Sequence, residues 1–241
     1  MSRTIHLPKS INTNDVTFSE VKKNNYGGKS VFVSYDGSPL IVQTPYMPMP
    51  FGMSEYESPD SGVIKYSADF SFRNMDENKS VERFYELLKN LDDKLVTSAS
   101  ENCVPWFGKS NYDNEEIVRA LYSHQIRHSI DKETGEINNK YAPTFKLKIP
   151  NRNGRFLVEV YNNNNERTYD ELQTLLKKNT KARALMMCSG IWFAGGKFGV
   201  SWKLLHLQVQ PSATMDDYAF IQDSDDEEDD DVGASFYGQS A

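Results

Sequence analysis

The sequence predicts a mainly β protein with inserted helices, built around an antiparallel barrel or sandwich. Three observations predict it. Short stretches of period-two apolar alternation outnumber helical stretches, turn residues separate them, and there is none of the regular β-α alternation of a doubly wound sheet. The 241 residues are 38% hydrophobic, enough to fill one good core.

Each element has its own signal. Residues 1–24 are polar and aperiodic and read as a flexible arm. Residues 31–35 and 40–43 flank Asp36-Gly37-Ser38-Pro39, a hairpin turn signal. Residues 63–72 alternate roughly in twos. Ser80 caps a predicted helix over 81–97, where Val81, Phe84, Leu88, Leu91 and Leu95 recur at helical spacing. Asp113 with Glu116 forms a capping-box pattern ahead of Ile117 and Leu121, and Thr168 with Glu171 forms another ahead of Leu172. Residues 144–149 alternate strictly, with Phe145, Leu147 and Ile149 on one face and Lys146 and Lys148 on the other. Asn151-Arg152-Asn153-Gly154 is a turn into a strand over 155–161. An apolar run over 184–193 turns at Gly195-Gly196 into 197–209, and Pro211 ends the folded part. A five-stranded OB-fold barrel accommodates this count with extra strands left over. It is expected over 25–211, followed by a disordered acidic tail over 212–241.

Charge divides the chain. It holds 27 bases and 34 acids, but ten of the acids and no base lie in residues 216–241. The remainder carries 27 bases against 24 acids. Within it, residues 140–210 hold 12 bases and 4 acids. A cationic region tied to a polyanionic tail points to nucleic acid as the competing polyanion, whatever the bulk pI of about 5.2 suggests. The acidic run Asp225, Asp226, Glu227, Glu228, Asp229, Asp230, Asp231 followed by Phe236 and Tyr237 has the form of a docking peptide, with charge to steer and rings to fill a pocket.

The candidate binding residues are basic and aromatic together. Lys146, Lys148, Arg152, Arg155, Lys197 and Lys203 are assigned to phosphates, and Tyr161, Trp192, Phe198 and Trp202 to stacked bases. Single-stranded nucleic acid needs this mixture, because cations track the backbone and flat rings receive unstacked bases. The competing reading makes the rings core and the lysines a solvated face. Catalytic chemistry finds no support. Gly28-Lys29-Ser30 and Gly108-Lys109-Ser110 lack the upstream glycine of a phosphate loop. His124 and His128 have no third ligand nearby in sequence, so no metal and no cofactor are expected. Asp92-Asp93 reads as a solvated pair on a helix, and Cys103 and Cys188 as buried free thiols. The N-terminus lacks the apolar core of a secretory signal and no run is long and apolar enough to span a membrane, so an intracellular protein is expected.

Several stretches resemble a known family. Ile191-Trp192-Phe193 followed by 196–203 (Gly-Lys-Phe-Gly-Val-Ser-Trp-Lys) is similar to the closing strands of the single-stranded DNA-binding proteins of large nucleocytoplasmic DNA viruses, a group related to the short-tailed bacteriophage type. Gln43-Thr44-Pro45 with Pro50-Phe51-Gly52, Trp106-Phe107-Gly108-Lys109 and the stretch 141–148 match in the same order. The resemblance implies an OB-fold core that coats single-stranded DNA in viral replication, recombination and repair, without enzymatic activity. It implies work in the host cell's replication compartment and a tail that recruits a polymerase or helicase and competes with DNA. Self-association is compatible with it. The chain departs from the pattern in placing its ring pair ahead of Gly238-Gln239-Ser240-Ala241 rather than at the terminus. The alternative is a non-enzymatic, acidic-tailed interaction protein, such as a histone-type chaperone or a virion component.

Overall fold

The computed structural model describes residues 4–23, 27–59, 62–168 and 171–210. Seven strands and three helices frame the site: β1 (Ile41–Gln43), β2 (Met47–Met49), β3 (Met53–Glu57), β4 (Ile64–Ser71), α1 (Lys79–Glu101), α2 (Cys103–Phe107), α3 (Glu115–Leu121), β5 (Thr144–Ile149), β6 (Thr180–Ala194) and β7 (Lys197–Gln210).

The pairings close a ring. β1 and β2 pair antiparallel with β6, while β3 pairs antiparallel with β4, so residues 41–57 act as one bent first strand shared by both sides. β4 pairs antiparallel with β5, β5 runs parallel to β7, and β7 returns antiparallel to β6. Numbered by barrel position, this is the order 1-2-3-5-4-1 of an OB fold, with β6 and β7 as the fourth and fifth strands. The protein is therefore mainly β with inserted helices, and the short strands outside the ring are the extra ones.

Local sequence explains the ring. In β5, Phe145, Leu147 and Ile149 are buried and Lys146 and Lys148 face out, as strict alternation requires. The β6–β7 hairpin turns at Gly195 and Gly196, both at positive φ, the two-residue turn whose twist suits the flanking strands. Asn153 and Gly154 make the same turn between Asn151–Arg152 and Arg155–Phe156. The strand expected over 155–161 breaks there, because Leu157 N–H donates to the Pro150 carbonyl, and pairing resumes only at Glu159–Tyr161.

Helix α1 is longer than the periodicity predicts. Its cap is Asn78 rather than Ser80, with the Asn78 side chain accepting from Ser80 and Val81 N–H. Phe84 on its apolar stripe meets Phe145 edge-on at 5.7 Å, seating the helix on the barrel. The cap of α3 is likewise Asn114, one residue beyond Asp113. The helix after Thr168 is a single turn, Leu172–Leu175, with no side-chain cap from Glu171.

The arm expected over residues 1–24 is attached to the body across much of its described length. Val16–Phe18 pairs with Val33–Tyr35, His6 bridges to Val42, and Val16 is buried in the core. Val16 and Phe18 are the apolar residues that hold an otherwise polar segment down. Cys103 and Cys188 are buried free thiols, and burial pushes the Cys188 thiol up to about 12. Among the described residues, no helix is long and apolar enough to cross a membrane.

Candidate nucleic-acid interface

A fork between two strands shapes the site. β5 and β7 run parallel but share one register pair, Lys148 with Lys203. Toward the start of both strands they part, and residues 122–127 fill the gap. Tyr122–Ser123 pairs with Phe198 and Gly199 of β7, and Ile126–Arg127 pairs with Phe145 and Thr144 of β5. Over the fork lies a groove of about 200 Å³, whose walls include His124, Arg127, Lys146, Lys148, Trp192 and Ser201.

A buried carboxylate pins the wedge. Asp92 on α1 is only 5% exposed, so its charge needs partners. The Tyr122 hydroxyl and the Gln125 side-chain amide each donate to Oδ1 at 2.6 Å, and Gln125 N–H donates to Oδ2 at 3.2 Å. His124 Nδ1 lies 3.3 Å from Oδ2. Gln125 in turn accepts from the Trp202 indole N–H, linking α1, the wedge and β7. Asp92 was expected to be solvated; instead it anchors the groove floor, while its neighbour Asp93 pairs with Arg119 at the surface. The hydrogen bond to Asp92 raises the His124 pKa above its ordinary value, against a smaller opposing effect of burial. Burial first, then the neighbouring Asp92, raise the Tyr122 pKa well above the ordinary phenol value, so it stays a neutral donor.

The lysines assemble on one face. Lys146 and Lys148 project outward from β5, and Lys203 lies beside Lys148 on β7. The Lys148 amine donates to the Ser201 hydroxyl at 2.8 Å, and protein packed around it, then the Lys65 charge, lower its pKa. An amine crowded by a like charge gains when an anion arrives. Lys146 is partly offset by Asp69 at 3.9 Å, whereas Lys65, Arg127, Lys148 and Lys203 form no ion pair among the described residues. Arg152 and Arg155 are exposed on the adjoining hairpin, where Phe156 packs edge-on against Tyr66 at 4.9 Å. Tyr66 is the register partner of Ile149, whose side chain is buried on the face opposite Lys148, so the hairpin is anchored at the end of the barrel and Arg152 and Arg155 are not brought into the groove.

The aromatics divide. Trp192 is half-buried and lines the groove, its ring resting on the backbone of Gly199, where an added Cβ would come within 2.8 Å of it. Phe198 and Trp202, expected to stack bases, are 0% and 3% exposed and belong to the core. Alternation along β7 accounts for this: Phe198, Trp202 and Leu204 share the inward face, opposite Lys197 and Lys203. Tyr161 lies away from the groove beside the far end of β7, its hydroxyl donating to Glu159 at 2.8 Å. Lys197 is exposed at the tip of the β6–β7 hairpin. The tail residues Asp225 to Asp231, Phe236 and Tyr237 lie outside the described residues. Reading the sequence missed Arg127, His124 and Gln125, which only the wedge brings to the groove. Among the described residues, no group of three His, Cys, Asp or Glu could hold a metal ion.

The fold and groove thus define an OB barrel with a cationic groove, walled by the partly exposed ring of Trp192, over its third, fourth and fifth strands. A family model described as a family of unknown function, DUF5871, matches residues 69–222, and the chain belongs to that family. No curated protein matches the sequence. Among solved structures, the chain is similar to the single-stranded DNA-binding protein from bacteriophage Enc34 in complex with single-stranded DNA. That likeness has a TM-score of 0.48 at 11% identity, covering 82% of this chain and 97% of that one. It is also similar to gp2.5, a single-stranded DNA-binding protein encoded by bacteriophage T7. There the TM-score is 0.44 at 14% identity, covering 84% of this chain and 100% of that one.

The His124–Asp92 pair has a pH signature. Because the folded-state pKa of His124 is raised, its contribution is complete below the unfolded histidine value and is lost as pH rises through the folded value. With the His124 side chain 51% exposed, solvent screening holds the effect to less than about 1 kcal/mol. Urea unfolding of wild type and His124→Asn should therefore diverge more at about pH 5.5 than at about pH 8.5. A gap that is constant across that range, or widens at high pH, would contradict the pairing.

Proposed function

We propose that this protein binds single-stranded DNA in the groove over the β5–β7 fork, without sequence preference and without enzymatic activity. The observation that carries the reading is the meeting, in one open groove, of Arg127, Lys146 and Lys148 with the half-buried ring of Trp192. The cations suit phosphates, and a partly exposed ring suits an unstacked base, which a duplex does not offer. Stacking on such a ring is worth roughly 1–3 kcal/mol per base. Lys146 and Lys148 stand on the third strand of the OB barrel, which forms part of the face suited to oligonucleotides.

The wider setting belongs to the same proposal. The protein coats unpaired DNA during replication, recombination and repair of a large DNA virus. The acidic tail over 212–241 competes with DNA and recruits a polymerase or helicase. The support is the charge division of the chain, with all 27 bases ahead of a tail that carries ten of its 34 acids.

Two binding measurements on short oligonucleotides test these claims. Lys146→Glu with Lys148→Glu should weaken binding to oligonucleotides of any sequence alike. It should also lower the slope of log affinity against log salt by at least about 1.4, since each lost phosphate contact on a single strand removes ~0.7. A loss confined to some sequences, or an unchanged slope, would contradict backbone tracking. Removing residues 216–241 should tighten binding at low salt and have little effect at high salt. Unchanged or weaker binding at low salt would rule out competition by the tail.

A further inference from the structure

A second cavity lies beside Arg183, near the end of β6 far from Trp192. Its volume is about 390 Å³, and its lining includes Lys9, Tyr46, Arg83 and Arg183. An adjoining cavity of about 230 Å³ shares Gln43 and Arg183 with it. Among the described residues, no carboxylate lines either one. Lys9, Arg83 and Arg183 form no ion pair among the described residues.

Arg183 is held in place before any ligand arrives. Its Nε donates to Gln208 Oε1 at 2.6 Å, and its guanidinium sits 5.0 Å over the Tyr46 ring. Gln208 is itself fixed, donating to the Asn162 carbonyl and to Asn165 Oδ1 at 2.9 and 2.8 Å. A guanidinium stacked on a ring and lining a cavity with no carboxylate among the described residues matches a phosphate diester. Fixing it beforehand removes most of the ordering cost of binding.

The two sites share a surface. Along the β6–β7 ladder, Met187 pairs with Lys203, Leu185 with His206 and Arg183 with Gln208. Met187, Lys203, Leu185 and His206 are all partly exposed, so an accessible face leads from Trp192 to Arg183 with Lys203 midway. At ~3.3 Å per strand residue, that span is about 30 Å.

We infer that the Lys9–Arg83–Arg183 cavity is a second phosphate subsite, which takes a distal segment of the same single DNA strand that occupies the Trp192 groove. The inference rests on the proposed DNA binding and adds to it a longer footprint. An acidic peptide is the rival occupant, and the continuous face with Lys203 between the sites favours the polynucleotide.

The test compares oligonucleotides of about four and about sixteen nucleotides, the range a single OB fold occupies. The protein is the full chain, as wild type and as the surface variant Lys9→Gln with Arg83→Gln; Arg183 is left intact because its hydrogen bonds also hold the fold. The variant should bind the short oligonucleotide within about twofold of wild type. It should bind the long one about tenfold more weakly at low salt, with a salt slope smaller by about 1.4. Equal affinities for the long oligonucleotide, or equal losses for both lengths, would overturn the second subsite while leaving groove binding intact. A loss on the long oligonucleotide that disappears once residues 216–241 are removed would reassign the cavity to the acidic tail. Absence of binding by wild type at both lengths would overturn this inference together with the proposed function.

Discussion

The site depends on one buried carboxylate. Asp92 sits inside the protein on α1 and is made tolerable by donors that all come from residues 122–125. Burying a charge costs several kcal/mol unless hydrogen bonds replace its water, so the network specifies where the wedge must lie. With the wedge in place, β5 and β7 are kept apart everywhere except at Lys148 and Lys203. The groove is the consequence: strands paired along their whole length would bring their backbones together and leave no walls for a polymer to enter between.

The same arrangement separates the work of the two strand faces. Inward residues of β5 and β7 complete a core with α1, in which Phe84, Phe145 and Trp202 lie ring against ring. Outward residues carry charge. Because successive side chains in a strand alternate, a strand that supplies tryptophan to the core supplies lysine to the groove at the adjacent position, as Trp202 and Lys203 do. Trp192 escapes this division. The register of β6 against β7 shifts between Cys188 and Gly190, and Gly190 passes so close to the Val31 carbonyl that a Cβ would lie 2.7 Å from it. That irregularity changes the parity of β6 and leaves the Trp192 ring partly exposed.

Much of the barrel was legible in the sequence because its signals are local. The alternation of residues 144–149, the Asn-Gly and Gly-Gly turns and the periodicity of α1 each depend on neighbours a few positions apart. The lysines of the groove were legible for the same reason. Phe198 and Trp202 were misread although the signal was present: strict alternation from Lys197 to Leu204 already sets them on the face opposite the lysines. Trp192 could not be separated from them by pattern, since the parity shift lies where β6 passes residues 31 and 32, far away in sequence. Asp92 was illegible for a different reason. Its partners lie 30 to 33 positions away, and an aspartate pair on an amphipathic helix looks solvated until the fold brings Gln125 beneath it.

The most direct measurement uses the three tryptophans themselves. Trp106 and Trp202 are each 3% exposed, and of the three only Trp192 brings a partly open ring to the groove. Titrating oligothymidylate into the protein should quench its intrinsic fluorescence saturably, and Trp192→Phe should abolish that quenching while the protein stays folded. Quenching of the same depth in the variant, or none in wild type under conditions where DNA is bound, would show that the strand does not pass over the fork.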